Sequence, residues 1–508
     1  MADYAGAVLS PRTRVLAGAV MALSNFMVVL DTSIANVSVP HIAGSLAISP
    51  DQGTWVITSY SVAEAICVPL TGWLTQRFGA VRCYLACMIG FAICSMLCGM
   101  SVSLTMLVAA RIGQGLCGGP IMPITQTLLL RVFPPQQRGT AMGLWAMTTV
   151  VAPVAGPLLG GTISDNWSWH WIFFINLPIA ALAVAGAYAF LRQVETPTER
   201  TRVDVVGLVL LVIWVGALQI MLDIGRTHGW FGSGDVVALA CIAGIGFAFF
   251  IVWELTAEQP VVDLRVFRHR GFSSATFALA VFYGTLFAST VITPQWLQTF
   301  MGYTAASAGY VLAWQGVFAV VMAPLVGRMS GRVDARILVT IGTLWLCFTA
   351  ILRSHWNAEA DYWSLAIPHL LTGFGMPLSF VPITILALSS VEPRETASAA
   401  GLSSFVRTLS GAIGASIATT MWVDREQIDR ADLTNVLPQN PAIFDQLATH
   451  GIGAAQQRGM LEMLVEQQAV ALATTQLFQI AAVAFVIAAA AIWIVPKPKR
   501  AASAEGAH

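Results

Sequence analysis

The 508-residue sequence has few charged residues, and this scarcity excludes most classes of soluble protein. Charged side chains make up 10% of the chain and hydrophobic residues 56%, whereas an ordinary soluble domain has about 25% charged residues. Basic and acidic residues number 26 each, so the net charge gives no reason to expect a nucleic acid or another polyanion as partner. We therefore predict an all-α polytopic membrane protein.

The sequence also lacks a phosphate-binding loop and any soluble stretch long enough for a catalytic domain. We therefore expect the protein to draw its energy from a proton gradient. We also expect no cofactor and no enzymatic activity. Six of the eight cysteines lie between Cys67 and Cys117, and their i,i+4 spacing is compatible with a metal site. Because free cysteine packs as a small apolar residue in helix interiors, we prefer that interpretation and predict no metal.

Fourteen hydrophobic windows have about the length of 20 residues that crosses a bilayer. They lie near 15–38, 53–75, 83–102, 106–130, 139–163, 171–191, 205–223, 236–256, 272–294, 306–327, 335–353, 363–388, 397–422 and 471–495. The first is too long for the core of a signal peptide, so we expect it to be retained. If the N-terminus is cytoplasmic, 19 of the 26 lysines and arginines are cytoplasmic as well. The sequence thus predicts fourteen transmembrane helices with N-in/C-in orientation.

An internal repeat indicates two related halves. The segment PLTGWLTQR at 69–77 recurs as PLVGRMSGR at 324–332, an offset of 255 residues. Duplicated six-span halves are common in secondary transporters. A second match at an offset of 256 relates Arg138, Thr140 and Ala141 to Arg394, Thr396 and Ala397.

The repeat divides the chain into four parts and leaves one long external segment. We predict an N-terminal six-helix bundle, two inserted helices with their flanking loops, a C-terminal six-helix bundle and a cytoplasmic tail, at 1–192, 193–270, 271–496 and 497–508. Residues 423–470 form the main soluble excursion, in which Ile452 to Gln468 has the pattern of a short amphipathic helix. About 45 residues is long for a plain connector, so a contact surface and a connector are both possible.

Two carboxylates, Asp31 and Glu64, lie near the middle of a span, and each costs on the order of a few kcal/mol in hydrocarbon. Asp223 and Glu254 lie at helix ends, where a charged head reaches the interface. A buried carboxylate in a site that opens to either side can load and unload a proton. We predict proton coupling by Asp31 and Glu64, with a static ion pair or a polar packing contact as the alternative.

Two arginines also lie within spans. Arg111 is followed one turn later by Gln114 on the same helix face, and Arg407 lies close to mid-depth. An unpaired arginine there is costly, so each is expected to face a cavity or a carboxylate. We predict that Arg111 tunes the coupling carboxylates and that Gln114 and Arg407 line a substrate cavity. A purely structural clamp between helices is the alternative for both arginines.

Glycine and proline mark two segments that conformational change requires. The fifth span contains APVAGPLLGG, in which Pro153 and Pro157 predict a bend and the glycines Gly156, Gly160 and Gly161 allow close helix approach.

The second segment is the basic loop GWLTQRFGAVR between the second and third spans. Gly72 and Gly79 permit the turn, and Arg77 and Arg82 are placed to contact helix ends or acids. Anchoring by the positive-inside rule alone is the simpler alternative.

Tryptophan is placed in two ways. Trp145, Trp296 and Trp314 are candidates to line a cavity for flat apolar molecules. The segment NWSWHWIFFINLP is interpreted as an interfacial belt built from Trp167, Trp169 and Trp171.

These motifs resemble the major facilitator superfamily over residues 15–495. The loop Gly72–Arg82, RIGQG from Arg111 and APVAGPLLGG resemble motifs of its loop, fourth helix and fifth helix. LDTSIANVSVP, WHWIFFINLP and the fourteen spans resemble its drug:proton antiporters of the EmrB/QacA type.

The resemblance implies proton-driven multidrug efflux by alternating access at a bacterial inner membrane, with lipophilic compounds as substrates. It also implies a periplasmic adaptor of the EmrA type and an outer-membrane channel of the TolC type. Export of one endogenous metabolite, such as a fatty acid or siderophore, is the alternative function, and a channel or a sensor is a further one. One position departs from the family. Gln76 stands where an acid is usual, so the acid-based latch of other members lacks its carboxylate here.

Overall fold

The computed structural model describes residues 9–199, 203–330, 332–357, 359–436 and 454–496, and every regular element within them is helical. Short 3₁₀ turns join several of the helices. The α-helices are α1 (Pro11–Leu46), α2 (Pro50–Cys67), α3 (Thr71–Phe78), α4 (Ala80–Gly99), α5 (Leu104–Gly118), α6 (Ile121–Val132), α7 (Arg138–Asn166), α8 (Trp171–Phe174), α9 (Asn176–Phe190), α10 (Val205–Ile224), α11 (Gly234–Thr256), α12 (Arg270–Thr299), α13 (Ala305–Met329), α14 (Ala335–Arg353), α15 (Tyr362–Ser389), α16 (Thr396–Val436) and α17 (Ala454–Ala491).

Eleven helical segments of the described chain are long and apolar enough to cross a membrane, with α8 and α9 counted together. Three predicted spans are absent from this set. Those near 53–75 and 106–130 are interrupted, the first by a 3₁₀ turn at Val68–Leu70 and the second between α5 and α6 before Pro120. Because Pro69 and Pro120 each lack an N–H donor, neither can continue the helical hydrogen-bond ladder. The third span, near 397–422, lies in α16, whose mean hydropathy is lowered by serines, threonines and Arg407.

The helix ends follow their local sequence. Ser49 caps α2 by a capping box, in which its Oγ accepts from Gln52 N at 3.3 Å and Gln52 Oε1 accepts from Ser49 N at 3.2 Å. The helix α3 ends at Gly79, whose φ of +90° is strained for residues with a side chain. The turn at Gly79 lets α4 begin at the very next residue, which makes this loop as tight as the sequence predicts.

The two halves meet along α7 and α13 and at one end of α16. A hydrophobic core joins residues of both halves, among them Met142 and Trp145 on α7 and Phe380 and Ile383 on α15. Gly139 of α7 lies directly against the backbone of Gly327 on α13, and Gly72 of α3 lies against Ser398 on α16. Both contacts require glycine because a Cβ at either position has no room. The halves are therefore closed against each other at the ends where the basic loops lie.

At the opposite end of α2 and α16, the inserted helix α10 contacts both of them. Thr58 of α2 donates to Asp223 Oδ2 at 2.5 Å, and Ser416 of α16 donates to the Leu222 carbonyl at 3.0 Å. Beyond the end of α10, Trp230 donates through Nε1 to Thr420 at 3.1 Å. The inserted helix thus joins the two halves on the side away from the glycine contacts.

The helices α16 and α17 are much longer than a bilayer crossing. With 41 and 38 residues they extend roughly 60 and 57 Å at 1.5 Å per residue, against a hydrocarbon core of about 30 Å. In the predicted external segment, Arg430 and Glu462 form an ion pair at 3.6 Å. Gln476, near the start of the last predicted span, donates to Asp429 at 3.2 Å. Residues 454–468 of the predicted short helix at 452–468 are helical, but the helix is not short, because it continues into the last span. Residues 437–453 lie outside the described chain.

The contact between α7 and α13 can be tested with a matched pair of glycines. Gly327→Ala places a methyl group against the Gly139 backbone, so the helices must separate, and we expect a loss of roughly 1–3 kcal/mol in stability. Gly244→Ala on α11 meets open space, and the better helix propensity of alanine is expected to leave stability unchanged or slightly higher. Thermal unfolding of the purified variants measures both, and an equal effect at the two positions would contradict the close approach.

Candidate functional site

The centre of the candidate site is an ion pair between Asp31 and Arg111. The helix α1 carries Asp31, and α5 carries Arg111. Arg111 Nη1 lies 2.7 Å from Asp31 Oδ2, and the side chains are 0% and 1% exposed. Without compensation either charge alone would be strongly destabilising at this depth, so the pair accounts for how both are kept in a bundle of apolar helices.

Two amides complete the environment of the Asp31 carboxylate. Gln114 Nε2 donates to Asp31 Oδ1 at 3.0 Å, and Asn176 Nδ2 from α9 donates to the same oxygen at 2.6 Å. Gln114 also accepts from Arg111 Nη1 at 2.8 Å through its Oε1, and Ser95 of α4 donates to the Phe173 carbonyl while it accepts from Asn176. The carboxylate therefore receives three donors from two other helices, the arrangement that an ionised buried acid requires.

Arg111 also contacts α2. Its Nε donates to the Val56 carbonyl at 3.0 Å, and its guanidinium carbon lies 4.2 Å from the centre of the Tyr60 ring, within cation–π range. Arg111 Nη2 and Tyr60 Oη are buried and have no hydrogen-bond partner among the described residues. Asn176 Oδ1 is likewise buried without a partner among these residues, so the site contains two unsatisfied donors and one unsatisfied acceptor.

Glu64 is placed differently from Asp31. Its side chain is half-buried and makes no hydrogen bond or ion pair within the described ranges. The charges that act on it come from Arg407 on α16, from Arg111 and from Asp31. Gly115 of α5 and Gly119, the residue after α5, lie against the backbone of Glu64, so α2 and α5 pack closely here. Glu64 therefore lies between the N-half ion pair and a cation of the C-terminal half.

Arg407 and Trp145 meet at the interface of the halves. Trp145 is fully buried, donates through Nε1 to Thr125 at 3.1 Å and stacks on Phe380 with ring centres 5.7 Å apart. The Arg407 guanidinium lies 5.8 Å from the Trp145 ring and 5.5 Å from the Tyr283 ring, and its Nη2 contacts the sulfur of Met122. At this point of the interface, aromatic side chains of both halves and one arginine are in contact.

The other two predicted cavity tryptophans lie elsewhere in the C-terminal half. Trp296 stacks on Trp356 with ring centres 5.4 Å apart and lines a cavity of about 190 Å³ together with Phe300, Met301 and Gln467. Trp314 donates through Nε1 to Tyr362 at 2.9 Å. The structure brings Trp145 and Arg407 together but does not bring Trp296 or Trp314 to them.

The proline and glycine motif of α7 packs on α1. Pro157 lacks the N–H that would bond to the Pro153 carbonyl, and Ser33 of α1 donates to that carbonyl at 3.0 Å instead. Gly156 lies against Ser33, and Gly160 lies against the backbone of Ile34, whereas Gly161 meets open space. The carbonyl that α7 leaves without a helical partner thus accepts a hydrogen bond from the helix that carries Asp31.

An acid from outside the loop motif holds the basic loop. Glu195, which follows α9, accepts from Val81 N at 2.9 Å and from Arg82 N at 3.0 Å, and so caps the start of α4. Arg82 Nε lies 4.0 Å from the same carboxylate, and the Arg77 guanidinium lies 5.5 Å from the Trp73 ring. Glu195 supplies a carboxylate to the loop in which Gln76 replaces the usual acid.

Sequence reasoning did not identify three residues of this arrangement, Asn176, Ser33 and Glu195. An asparagine in the apolar stretch FFINLP is the signal that could have pointed to Asn176, which the belt interpretation overlooked. The interpretation of NWSWHWIFFINLP as an interfacial belt is wrong for Trp169, which is 4% exposed and packs in the N-terminal half. Trp167, by contrast, is 73% exposed. Nothing in the sequence places Glu195 beside the loop. No cluster of three metal-ligating side chains occurs in the part of the chain that the structure describes.

An all-helical fold of apolar spans with an ion pair buried inside one half is that of a polytopic membrane protein. Residues 21–415 match the Major Facilitator Superfamily, and the chain belongs to that family. It is a multi-pass inner-membrane protein. The chain is 43% identical to the multidrug export protein EmrB of Escherichia coli K12 over 483 residues, covering 94% of each chain. It is 40% identical to the fatty acid resistance protein FarB of Neisseria gonorrhoeae, covering 94% of this chain and 95% of that one.

Solved structures support the fold independently of sequence. The proton:xylose symporter XylE, bound to 6-bromo-6-deoxy-D-glucose, superposes with a TM-score of 0.60 at 12% identity and 96% coverage of both chains. The human organic anion transporter MFSD10 superposes with a TM-score of 0.59 at 15% identity, covering 95% of this chain and 100% of that one. These relatives are transporters rather than enzymes.

A double-mutant cycle tests whether Asp31 and Arg111 act as one unit. Asp31→Asn leaves a buried arginine unpaired, and the cost expected for breaking such a pair is about 3–5 kcal/mol. Arg111→Gln leaves the carboxylate with only its amide donors. Because the double variant has no buried charge here, we expect it to be more stable in thermal unfolding than either single variant. Additive losses would show that the two charges are not coupled.

Proposed function

We propose that the protein is a proton-driven exporter of lipophilic, toxic compounds. We further propose that fourteen helices cross the membrane with both termini in the cytoplasm. The observation that carries the proposal is the buried pair of Asp31 and Arg111 with its amide donors. Relatives with 40% identity or more are named for multidrug export and fatty acid resistance, which supports the class of substrate.

Protonation of Asp31 is the proposed coupling step. An ionised Asp31 holds Arg111 at 2.7 Å, whereas a protonated one no longer neutralises the guanidinium. Arg111 then depends on Val56, on Tyr60 and on whatever reaches its unpartnered Nη2. Since Val56 and Tyr60 lie on α2, the change in charge acts on the helix that carries Glu64.

Glu64 is proposed to pass this change to the interface. It lies under the influence of Arg407 from the other half, and loss of its charge weakens an attraction between α2 and α16. A lipophilic substrate that enters beside Trp145 and Arg407 competes with Glu64 for the interaction with Arg407. Asp31 and Glu64 thus serve as an inner and an outer carboxylate of one proton pathway.

Alternating access is proposed to start from the arrangement described above. With an N-in orientation, the glycine contacts of α3 with α16 and of α7 with α13 close the cytoplasmic side. Opening that side requires α7 to bend or rock, and Pro153 and Pro157 leave its hydrogen-bond ladder incomplete where it packs on α1. The movement carries the halves around the aromatic interface at Trp145.

The extended ends of α16 and α17 are proposed to bind an adaptor. They form a helical hairpin outside the membrane, closed by Arg430 and Glu462. Ile428 and Met463 in this region are exposed although apolar, which is typical of a surface that another protein covers. We assign it to a periplasmic adaptor of the EmrA type, itself joined to an outer-membrane channel of the TolC type.

Proton release tests the exchange directly. When a lipophilic drug binds detergent-solubilised protein, competition predicts release of protons into a weakly buffered solution, because substrate and proton exclude each other. We expect Asp31→Asn to abolish the release and Glu64→Gln to reduce it. Asp235→Asn removes an exposed acid from α11 and serves as the control with unchanged release.

The same measurement separates the proposal from its alternatives. A channel or a sensor predicts no release of protons on drug binding. Full proton-coupled export in vesicles by Asp31→Asn would show that Asp31 is not the carrier. Release by a fatty acid alone, with none by cationic or neutral drugs, would favour an exporter of one metabolite.

Charge introduced on the hairpin tests the adaptor surface. Ile428→Glu with Met463→Glu places two carboxylates on the exposed apolar positions, and we expect co-purification with the adaptor to fall while drug-induced proton release persists. Gln456→Glu adds charge at an exposed polar position of α17 and is expected to retain the adaptor. Undiminished co-purification by the double variant would assign adaptor binding to another surface.

A further inference from the structure

A second buried group of polar side chains lies in the C-terminal half, at the outer end of α14. Arg353 and His369 are 5% and 2% exposed. Arg353 donates from Nη2 to Thr372, which lies one turn after His369 on α15. Arg353 Nε and both ring nitrogens of His369 have no hydrogen-bond partner among the described residues.

No carboxylate of the described residues neutralises this arginine. Its electrostatic neighbourhood contains His369, which is itself a base, and its aromatic contact is the Phe478 ring at 5.3 Å. A buried guanidinium with an unpartnered Nε and no acid beside it is strongly unfavourable unless an anion reaches it. The position therefore has the chemistry of an anion site.

The repeat relates this position to the ion pair of the N-terminal half. At the offset of 255 residues, Arg353 corresponds to Cys98 and His369 to Gln114, and Cys98 donates to Gln114 at 3.5 Å. The counterpart of Asp31 at the same offset is Leu286. The N-terminal half thus supplies its own carboxylate at this depth, whereas the C-terminal half has bases and no acid.

Apolar aromatic rings surround the polar group. Trp356 lies 6.0 Å from the His369 ring and stacks on Trp296. Trp296 in turn lines the cavity of about 190 Å³ with Phe300 and Met301. Arg353 and His369 do not line this cavity, whose fourth lining residue is Gln467. A ligand that contacts both places must lie along the Trp296–Trp356 stack, and it needs an apolar body and a negatively charged head.

We propose that Arg353 and His369, next to the Trp296–Trp356 stack, bind the carboxylate head of a lipophilic acid. The guanidinium supplies the charge, and the imidazole donates a hydrogen bond from one ring nitrogen. The apolar chain of the acid lies along the aromatic rings toward the cavity. The inference rests on the proposed export function and names lipophilic carboxylates as one substrate class.

Binding of decanoate to the full-length protein in detergent tests the site, with thermal unfolding as the readout. We expect decanoate to raise the unfolding temperature, and Arg353→Gln and His369→Gln each to weaken the apparent affinity about tenfold or more, as expected for a charge-assisted hydrogen bond. Arg328→Gln and His355→Gln remove an exposed arginine and an exposed histidine and are expected to leave the affinity unchanged.

Two further probes identify which part of the ligand is recognised. Decanol has the apolar chain without the charge, whereas acetate and chloride have the charge without the chain. None of the three is expected to reproduce the stabilisation by decanoate. A full effect of decanol, acetate or chloride overturns the proposal, as does an equal response of wild type and Arg353→Gln. If Arg353→Gln does not fold, His369→Gln supports the same comparison. Because the readout needs no transport, a negative result leaves the proton release assigned to Asp31 standing.

Discussion

The buried ion pair of Asp31 and Arg111 is the constraint on which the N-terminal half depends. Breaking such a pair costs about 3–5 kcal/mol, so the surrounding helices must bring enough donors to compensate the burial of the carboxylate. The helix α5 supplies Arg111 and Gln114 one turn apart, and α9 supplies Asn176. The positions of α1, α4, α5 and α9 are therefore fixed by hydrogen bonds as well as by apolar packing.

The same pair links the interior of one half to its boundary with the other. Arg111 contacts the backbone and the ring of α2 at Val56 and Tyr60, and α2 presents Glu64 toward Arg407. In the proposed mechanism, a change of charge at Asp31 therefore acts through Arg111 on the helix that carries Glu64. The contacts with Arg111, at Val56 and Tyr60, and the side chain of Glu64 lie on successive turns of α2.

The features of the fold and the site that lie on a single helix could be predicted from the sequence. Arg111 and Gln114 share a face by their spacing, and hydropathy located eleven of the fourteen expected spans, because both patterns are local. Contacts between segments that are distant in the sequence could not be predicted. Glu195 reaches the basic loop more than 110 residues from its own position, and Asn176 completes a site that begins at Asp31. The interruption of the second span at Pro69 has a local cause, whereas the contact of this turn with Gly401 of α16 joins distant segments.

The packing of α1 on α7 connects the ion pair to the movement of the halves. Ser33, two residues after Asp31, satisfies the carbonyl that Pro157 leaves free, and Gly156 allows the two backbones to approach. The helix α7 then reaches α13 of the other half through Gly139 and Gly327. A shift of α1 that follows protonation of Asp31 must therefore either break the Ser33 hydrogen bond or carry α7 with it. Since an unsatisfied carbonyl in a bilayer costs several kcal/mol, movement of α7 together with α1 is the less costly response.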